Sequence, residues 1–357
     1  MKSGFLTAFL AGLLYLSLVG SSGNAMADDT HRLYNLCRDW KFELGDNQRW
    51  ADPKFDDSRW SEIEVPSSWE EEGYPGYDGY AWYRIHFTAL SDWESNDLFL
   101  DLGAVDDVDE TYLNGQLIGT MGGFPPNYST AYNFSRHYPI PYDLLRPNGD
   151  NVIAVRVYDN QGSGGIISGR IGIYENRYSV DSDLRLPAVW KFKTGDEAEW
   201  KEESYDDKDW KNVRVPAYWE TQGFRDYDGY AWYRVKFKVP SSFSEQDLIA
   251  LVGKIDDFDE TYLNGVRIGH TGYMPTTPVR RTDSDEYTQL RAYMIPSGVV
   301  HFDKDNVLAV RVYDCWQGGG LYEGPIGLVT RQHYAKYHRA VRNFGRWFED
   351  LIDRIFN

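Results

Sequence analysis

Positive charge and cysteine are what this sequence has least of. Its 357 residues include 37 Lys and Arg against 55 Asp and Glu, and two Cys. The whole chain carries −18; residues 1–27 contribute +1 and residues 331–357 contribute +3, so the body 28–330 holds −22. A surface that acidic repels phosphate backbones and excludes nucleic acid as a partner, while neutral or cationic ligands are accommodated more easily. Cys37 and Cys315 form no CxxC pair, and no HExxH is present, which argues against zinc. A bond between them would tie the two halves of the body together; two free thiols are the alternative, and spacing alone leaves both open. Long apolar runs are also missing, except at 5–19. That run follows Lys2 and precedes Ala25-Met26-Ala27, the order of a cleaved signal peptide, and it is short for a membrane span. Residues 1–27 are therefore expected to be removed and the protein to be secreted or periplasmic. The seven His form no Ser/His/Asp spacing, and Gly162–Gly165 and Gly318–Gly320 lack the Lys-Ser/Thr of a phosphate loop.

What is present is a duplication. Trp40, Trp60 and Trp69-Glu70 recur 150 positions on as Trp190, Trp210 and Trp219-Glu220. YDGYAWYR at 77–84 is identical to 227–234, and DDVDETYLNG at 106–115 matches DDFDETYLNG at 256–265. After a five-residue insertion, DNVIAVRVYD at 150–159 matches DNVLAVRVYD at 305–314. A period this long describes two domain-sized units, 28–180 and 181–330, rather than a solenoid. Each unit reads as β. Tyr83, Ile85 and Phe87 alternate with Trp82, Arg84 and His86, which predicts one face inward and one outward. Ile153, Val155 and Val157 form a second inward row, and Asn114-Gly115 and Asn264-Gly265 predict hairpins. The tail 331–357 differs: Tyr337, Val341, Phe344, Phe348, Leu351 and Ile355 recur at helical spacing, predicting an amphipathic helix. Its wide apolar face, with Arg339, Arg342 and Arg346, suits an anionic membrane surface or a partner protein, with docking on its own sandwich as the alternative.

The ordered set of DDSRW or DDKDW, VPSSWE or VPAYWE, DGYAWYR, DETYLNG and NVIAVRVYD resembles a known domain. It is similar to the sugar-binding, galactose-binding-like jelly roll of glycoside hydrolase family 2, and closer still to the accessory β-sandwich of sialate O-acetylesterases. The resemblance covers both repeats. It implies an all-β fold of two tandem jelly-roll β-sandwiches plus a C-terminal amphipathic helix. The catalytic parts of those families do not appear: no stretch is left for a TIM barrel carrying paired glutamates, and no Gly-Asp-Ser or Gly-Gln-Ser nucleophile block is present. The implied function is carbohydrate binding without catalysis, as an accessory to a glycan-degrading partner enzyme. The alternatives are a β-galactosidase-like glycoside hydrolase, a carbohydrate esterase, or an assembly protein that binds no sugar.

Three constellations are candidates for chemistry. Trp69, Glu70, Tyr77, Asp78 and Tyr80, with Trp219, Glu220, Tyr227, Asp228 and Tyr230, combine rings and carboxylates as a sugar site would; closure of the sandwich ends explains the same residues. Residues 121–136 and 272–291, where the repeats diverge, offer Tyr128, Tyr132, Tyr273 and Arg281 as ligand contacts on loops. Asp106, Asp107, Asp109 and Glu110, repeated as Asp256, Asp257, Asp259 and Glu260, are hard oxygen ligands of the kind Ca²⁺ takes. Strand alternation splits them between two faces, so an Arg–carboxylate network with Arg84, Arg156, Arg234 and Arg311 is the favoured account, and no cofactor is expected. Glu70 and Glu220 would serve as a glycosidase pair only if the two units faced each other across one cleft.

Overall fold

The computed structural model describes residues 30–91, 93, 97–176, 179–277, 279, 285–316 and 318–339. Within them the chain forms four antiparallel sheets, stacked as two sandwiches. In the first repeat a broad sheet runs in the order Ser61–Val65, Arg38–Leu44, Gly79–Thr88, Asp150–Asp159, Val108–Leu113, Gln116–Met121. It faces a narrower sheet of Thr30–Asn35, Gly172–Asn176, Leu98–Asp106 and Gly165–Ser168, with Ser135–Pro139 also paired to Leu98–Asp106. The second repeat repeats the plan. Its broad sheet is Lys211–Arg214, Val189–Thr194, Gly229–Lys238, Asp305–Asp314, Phe258–Leu263, Val266–Thr271, against Leu184–Arg185, Gly320–Thr330, Leu248–Asp256 and Arg291–Met294.

The predicted inward rows are the cores. Tyr83, Ile85, Phe87, Ile153, Val155 and Val157 pack with Leu98, Leu100, Leu102 and Ile173 from the facing sheet, and Tyr233, Val235, Leu308, Val310 and Val312 do the same in the copy. Both Asn-Gly pairs are hairpin turns with left-handed φ at both positions, 52° and 86° at Asn114-Gly115, the geometry that matches strand twist. Alternation misleads on the other face. Trp82 and Arg84 are fully buried, because the segment 48–60 folds over that face and lays Trp50, Phe55 and Trp60 on it. Arg84 anchors the cover: its guanidinium donates to Asp57 Oδ2 at 2.7 Å and to the carbonyls of Trp50, Asp52 and Phe55. Arg234 does the same through Asp207 in the second repeat. The expected partnership of Arg84 with the 106–110 acids is thus replaced by one with Asp57.

Cys37 and Cys315 are unbonded thiols; Cys37 edges the first core and Cys315 packs with Phe258 and Tyr313 in the second unit. The chain leaves the first sandwich at Asn176, and Val180 already packs on the second, with Ile249, Leu251 and Val329. Tyr334 and Tyr337, on the helix 331–339, lie on the same patch. Arg331 pairs with Asp247 at 3.3 Å and His333 with Asp183 at 2.9 Å. The first turns of the tail therefore seat on their own domain, which supplies the apolar cover that an amphipathic helix needs. The rest of the expected apolar face, from Val341 onward, lies outside the described residues, as does the leader. No helix among the described residues is long and apolar enough to cross a membrane.

The repeats touch along a seam. Arg225 of the second donates to Glu110 of the first, Arg214 pairs with Asp143 at 3.4 Å, and Asn176 reaches Glu323. A small crevice there is lined by Asp97, Phe99, Pro139, Pro216, Tyr322 and Glu323. Burial and the neighbouring Glu323 push the Asp97 carboxyl up to about 7, against hydrogen bonds from Asn176 and Ser179 and the charge of Lys254. A folded-state value above the unfolded one favours folding below about pH 4 and loses that contribution as pH rises through 7. Asp97→Asn is accordingly expected to be more stable than the parent at pH 8, by up to about 4 kcal/mol, and to melt higher there, with the gap closing towards pH 4. Parallel thermal melts across that range check it; a gap independent of pH would refute the assignment.

Candidate functional site

The chain passes from the narrow to the broad sheet between Leu98–Asp106 and Val108–Leu113, and Asp106 and Asp107 sit at that crossing. Alternation holds within one strand and does not span a change of sheet. The two neighbouring carboxylates therefore converge, and the end of Asp150–Asp159 brings a third. Oxygens of Asp106, Asp107 and Asp159 lie within 4.8 Å of one another, and those of Asp256, Asp257 and Asp314 do likewise. Asp159 and Asp314, the last residues of the VRVYD strands, were not singled out in the sequence, although their recurrence in both copies is a readable signal.

The other two acids of each DDxDE block do something else. Asp109 is fully buried and accepts from Arg136 Nε at 2.7 Å, from Tyr138 and from Thr111. Glu110 accepts from Arg156 at 3.1 Å and from Tyr112, while Arg156 also grips Asp46. The expected Arg–carboxylate network is real for Asp109, Glu110, Asp259 and Glu260, with Arg136 and Arg291 as members that sequence reasoning missed. At Asp107 it reaches only the backbone carbonyl, through Arg136 Nη2 at 3.0 Å, and it acts on Asp106 by charge alone.

Around the first triad, Asp107 accepts from the Tyr128 hydroxyl at 2.6 Å, the Thr130 hydroxyl at 2.5 Å and the Asn160 amide at 3.1 Å. Burial opposes its ionisation, but these donors hold its carboxyl below the usual range. Burial and the charge of Asp107 push Asp106 up to about 7, and burial pushes Asp159 up to about 6 with Asp107 and Asp78 nearby. In the second triad Asp256 and Asp314 are shifted in the same direction. Burial, then Asp257, raises Asp256 to about 10, and burial with Asp228 beside it raises Asp314 to about 7.

Several predicted residues gather here. Tyr80 packs on Tyr158 with ring centroids 4.7 Å apart and stacks on Phe124 at 5.9 Å, and Arg156 lies over both Tyr80 and Phe124. Tyr128 meets Tyr158 edge-on, and Asp78 acts on Asp159 by charge. In the copy, Tyr230 packs on Tyr313 under Arg311, Met274 takes the place of Phe124, and Asp228 acts on Asp314.

Others belong to the scaffold. Trp69 and Trp219 have no exposed surface and cannot serve as sugar platforms. Their rings are packed by Phe42 and Tyr77, and by Phe192 and Tyr227. Tyr77 and Tyr227 donate their hydroxyls to the carbonyls of Tyr80 and Tyr230. Glu70 accepts from the Trp69 indole at 2.8 Å and the Gly164 amide at 3.1 Å, and Glu220 accepts from the Gly319 amide. Burial pushes Glu220 up to about 9. Each glutamate is thus committed to its own sandwich, which removes the basis for a shared glycosidase pair. Tyr132 and Tyr273 are exposed on the divergent loops; Arg281 lies outside the described residues.

Residues 44–164 match a family model described as the second all-beta domain of beta-galactosidase. A beta-glucuronidase of Formosa agariphila is 26% identical over 143 residues, 36% of this chain and 14% of that protein. The beta-galactosidase BoGH2A of Bacteroides ovatus is 29% identical over 173 residues, 44% of this chain and 17% of its own length. Among solved structures, a Bacteroides uniformis beta-glucuronidase aligns over 80% of this chain and 28% of its own, at 16% identity and a TM-score of 0.35. The chain spans less than a fifth of the curated relatives it matches. Over the part covered, the resemblance to the accessory β-domains of family 2 glycoside hydrolases holds.

Proposed function

We propose that this protein binds carbohydrate through its β-sandwiches, without hydrolysing it, outside the cytoplasm and beside a glycan-degrading partner enzyme. The observation that carries this reading is the match of residues 44–164 to an all-β domain of beta-galactosidase, with the same motifs recurring in the second half. Exposed rings on the divergent loops support it: Tyr273 is 87% exposed, Tyr132 53% and Phe134 49%, and aromatic faces stack against the C–H bonds of a sugar. The strongly acidic body favours neutral glycans over uronic acids, which carry the same sign of charge. Export rests on the leader at 1–27.

A glycan array probed with the chain from residue 28 tests this, with neutral galactosides and glucosides expected to bind and polyuronates not. Tyr273→Ala, or Tyr132→Ala with Phe134→Ala, is expected to weaken binding roughly tenfold, the size of one aromatic contact. No binding across the array would overturn the reading in favour of an assembly role. Turnover of nitrophenyl glycosides or acetyl esters, abolished by Glu70→Gln or Glu220→Gln, would promote the enzyme instead.

A further inference from the structure

We propose that each sandwich holds one divalent cation, of calcium type, on its carboxylate triad: Asp106, Asp107 and Asp159 in the first repeat, Asp256, Asp257 and Asp314 in the second. The convergence of three carboxylates within 4.8 Å is one observation. The second is independent of it. Asp159 and Asp314 have no exposed surface, yet Oδ2 of each has no hydrogen-bond partner. Their other oxygens are held by the backbone, Asp159 Oδ1 by the Gln161 amide at 3.1 Å and Asp314 Oδ1 by the Trp316 amide at 2.9 Å. The carboxylate is therefore fixed in orientation, with its second oxygen unsatisfied among the described residues. A buried acceptor without a donor carries a desolvation cost that a ligand removes.

Among the described residues no cationic side chain hydrogen-bonds to that oxygen in either triad. Arg136, beside the first triad, donates to Asp109 and to the carbonyls of Ala131, Phe134 and Asp107. Arg291 is committed in the same way to Asp259, Glu286, Gln289 and Asp257. Both spend their hydrogen-bond donors on ordering the neighbouring loop and on Asp109 or Asp259; Arg136 acts on Asp106 by charge alone. All the side-chain ligands are oxygens, which suits a hard cation. Two of them come from adjacent residues and one from another strand, an irregular set better matched to the flexible coordination of Ca²⁺ than to the octahedral demand of Mg²⁺. The arrangement is repeated in both domains, although the loops beside it differ in length and sequence. What is kept, then, is the triad itself rather than one local loop packing.

In position the cation ties together the crossing between the sheets at 106–107 and the end of the central strand Asp150–Asp159. The inference is separate from sugar binding and stands whether or not a glycan is bound. Its test uses the chain from residue 28, stripped with a chelator and titrated with CaCl₂ at pH 7.5 by calorimetry, with Tb³⁺ luminescence sensitised by the nearby Tyr80, Tyr128 and Tyr158 as a second readout. Two equivalents per chain are expected, together with a rise of several degrees in the melting temperature that Mg²⁺ reproduces only weakly. Asp159→Asn and Asp314→Asn are each expected to remove one equivalent. The double variant is expected to remove both and to melt at the same temperature with and without Ca²⁺. Asn preserves the shape of the side chain, and circular dichroism confirms folding; if either variant fails to fold, Asp106→Asn and Asp256→Asn replace them. Absence of a saturable heat in the parent would overturn the proposal. So would two equivalents persisting in the folded double variant, which would assign the binding to the acidic surface.

Discussion

Asp109→Ala is expected to destabilise the first sandwich by about 3–5 kcal/mol, the cost of leaving a buried charge without its partner. Both side chains of the Arg136–Asp109 pair are fully buried, and the carboxylate also receives the Tyr138 and Thr111 hydroxyls. Removing it strands a guanidinium and two hydroxyls away from water. Calorimetry should show the transition of the first domain falling by about 10 °C while that of the second stays close to its parent value; Asp259→Ala should reverse the pattern. The double variant Asp109→Leu with Arg136→Met should recover most of the loss, because no unpaired charge remains. Lys41→Ala, which breaks an exposed pair with Glu62, should change stability by well under 1 kcal/mol. If Asp109→Ala proved as mild as Lys41→Ala, the network could not be what orders the loop 131–136.

The second large effect is steric. Gly119 lies beneath the ring of Tyr138, and a Cβ there would sit 2.1 Å from Cδ1; at Gly269 the same atom would sit 2.1 Å from Tyr293. Gly119→Ala therefore forces Tyr138 aside and draws its hydroxyl off Asp109. We expect a loss of about 3 kcal/mol, at the upper end for overpacking, since the displacement reaches the buried ion pair. Tyr138→Ala should cost a comparable amount alone. Combining it with Gly119→Ala should cost less than the sum, because the clash and the ring disappear together. Strict additivity in chemical denaturation would refute the coupling.

These sites also show how far the sequence could be read. The inward rows were legible because period two reports which side chains share a face of a strand. Period two does not report whether the second face is covered, so Trp82 and Arg84 were expected in the open although Trp50, Phe55 and Trp60 lie over them. Gly119 is plain in the sequence, but the ring pressed on it comes from Ser135–Pro139, in the facing sheet. The triads escaped for the same reason. Alternation stops at the change of sheet and so does not describe Asp106-Asp107, and Asp159 lies 52 positions beyond Asp107 along the chain. Glu70 and Trp69 carried the residue types of a sugar site, and only their burial and the Gly164 amide reveal a clamp.

The near-identity of the central strands has a consequence for how the chain is made. Gly79–Thr88 pairs with Asp150–Asp159, and Gly229–Lys238 with Asp305–Asp314, over ten-residue registers with almost the same side chains. The wrong pairing, Gly229–Lys238 on Asp150–Asp159, closes a loop of about the same length as either correct one, so chain entropy barely opposes it. Order of synthesis does. By the time the later strand leaves the ribosome, Asp150–Asp159 already lies between Gly79–Thr88 and Val108–Leu113, with neither edge free. A chain refolded whole from denaturant has no such history, and its first and second copies compete for each other's partners.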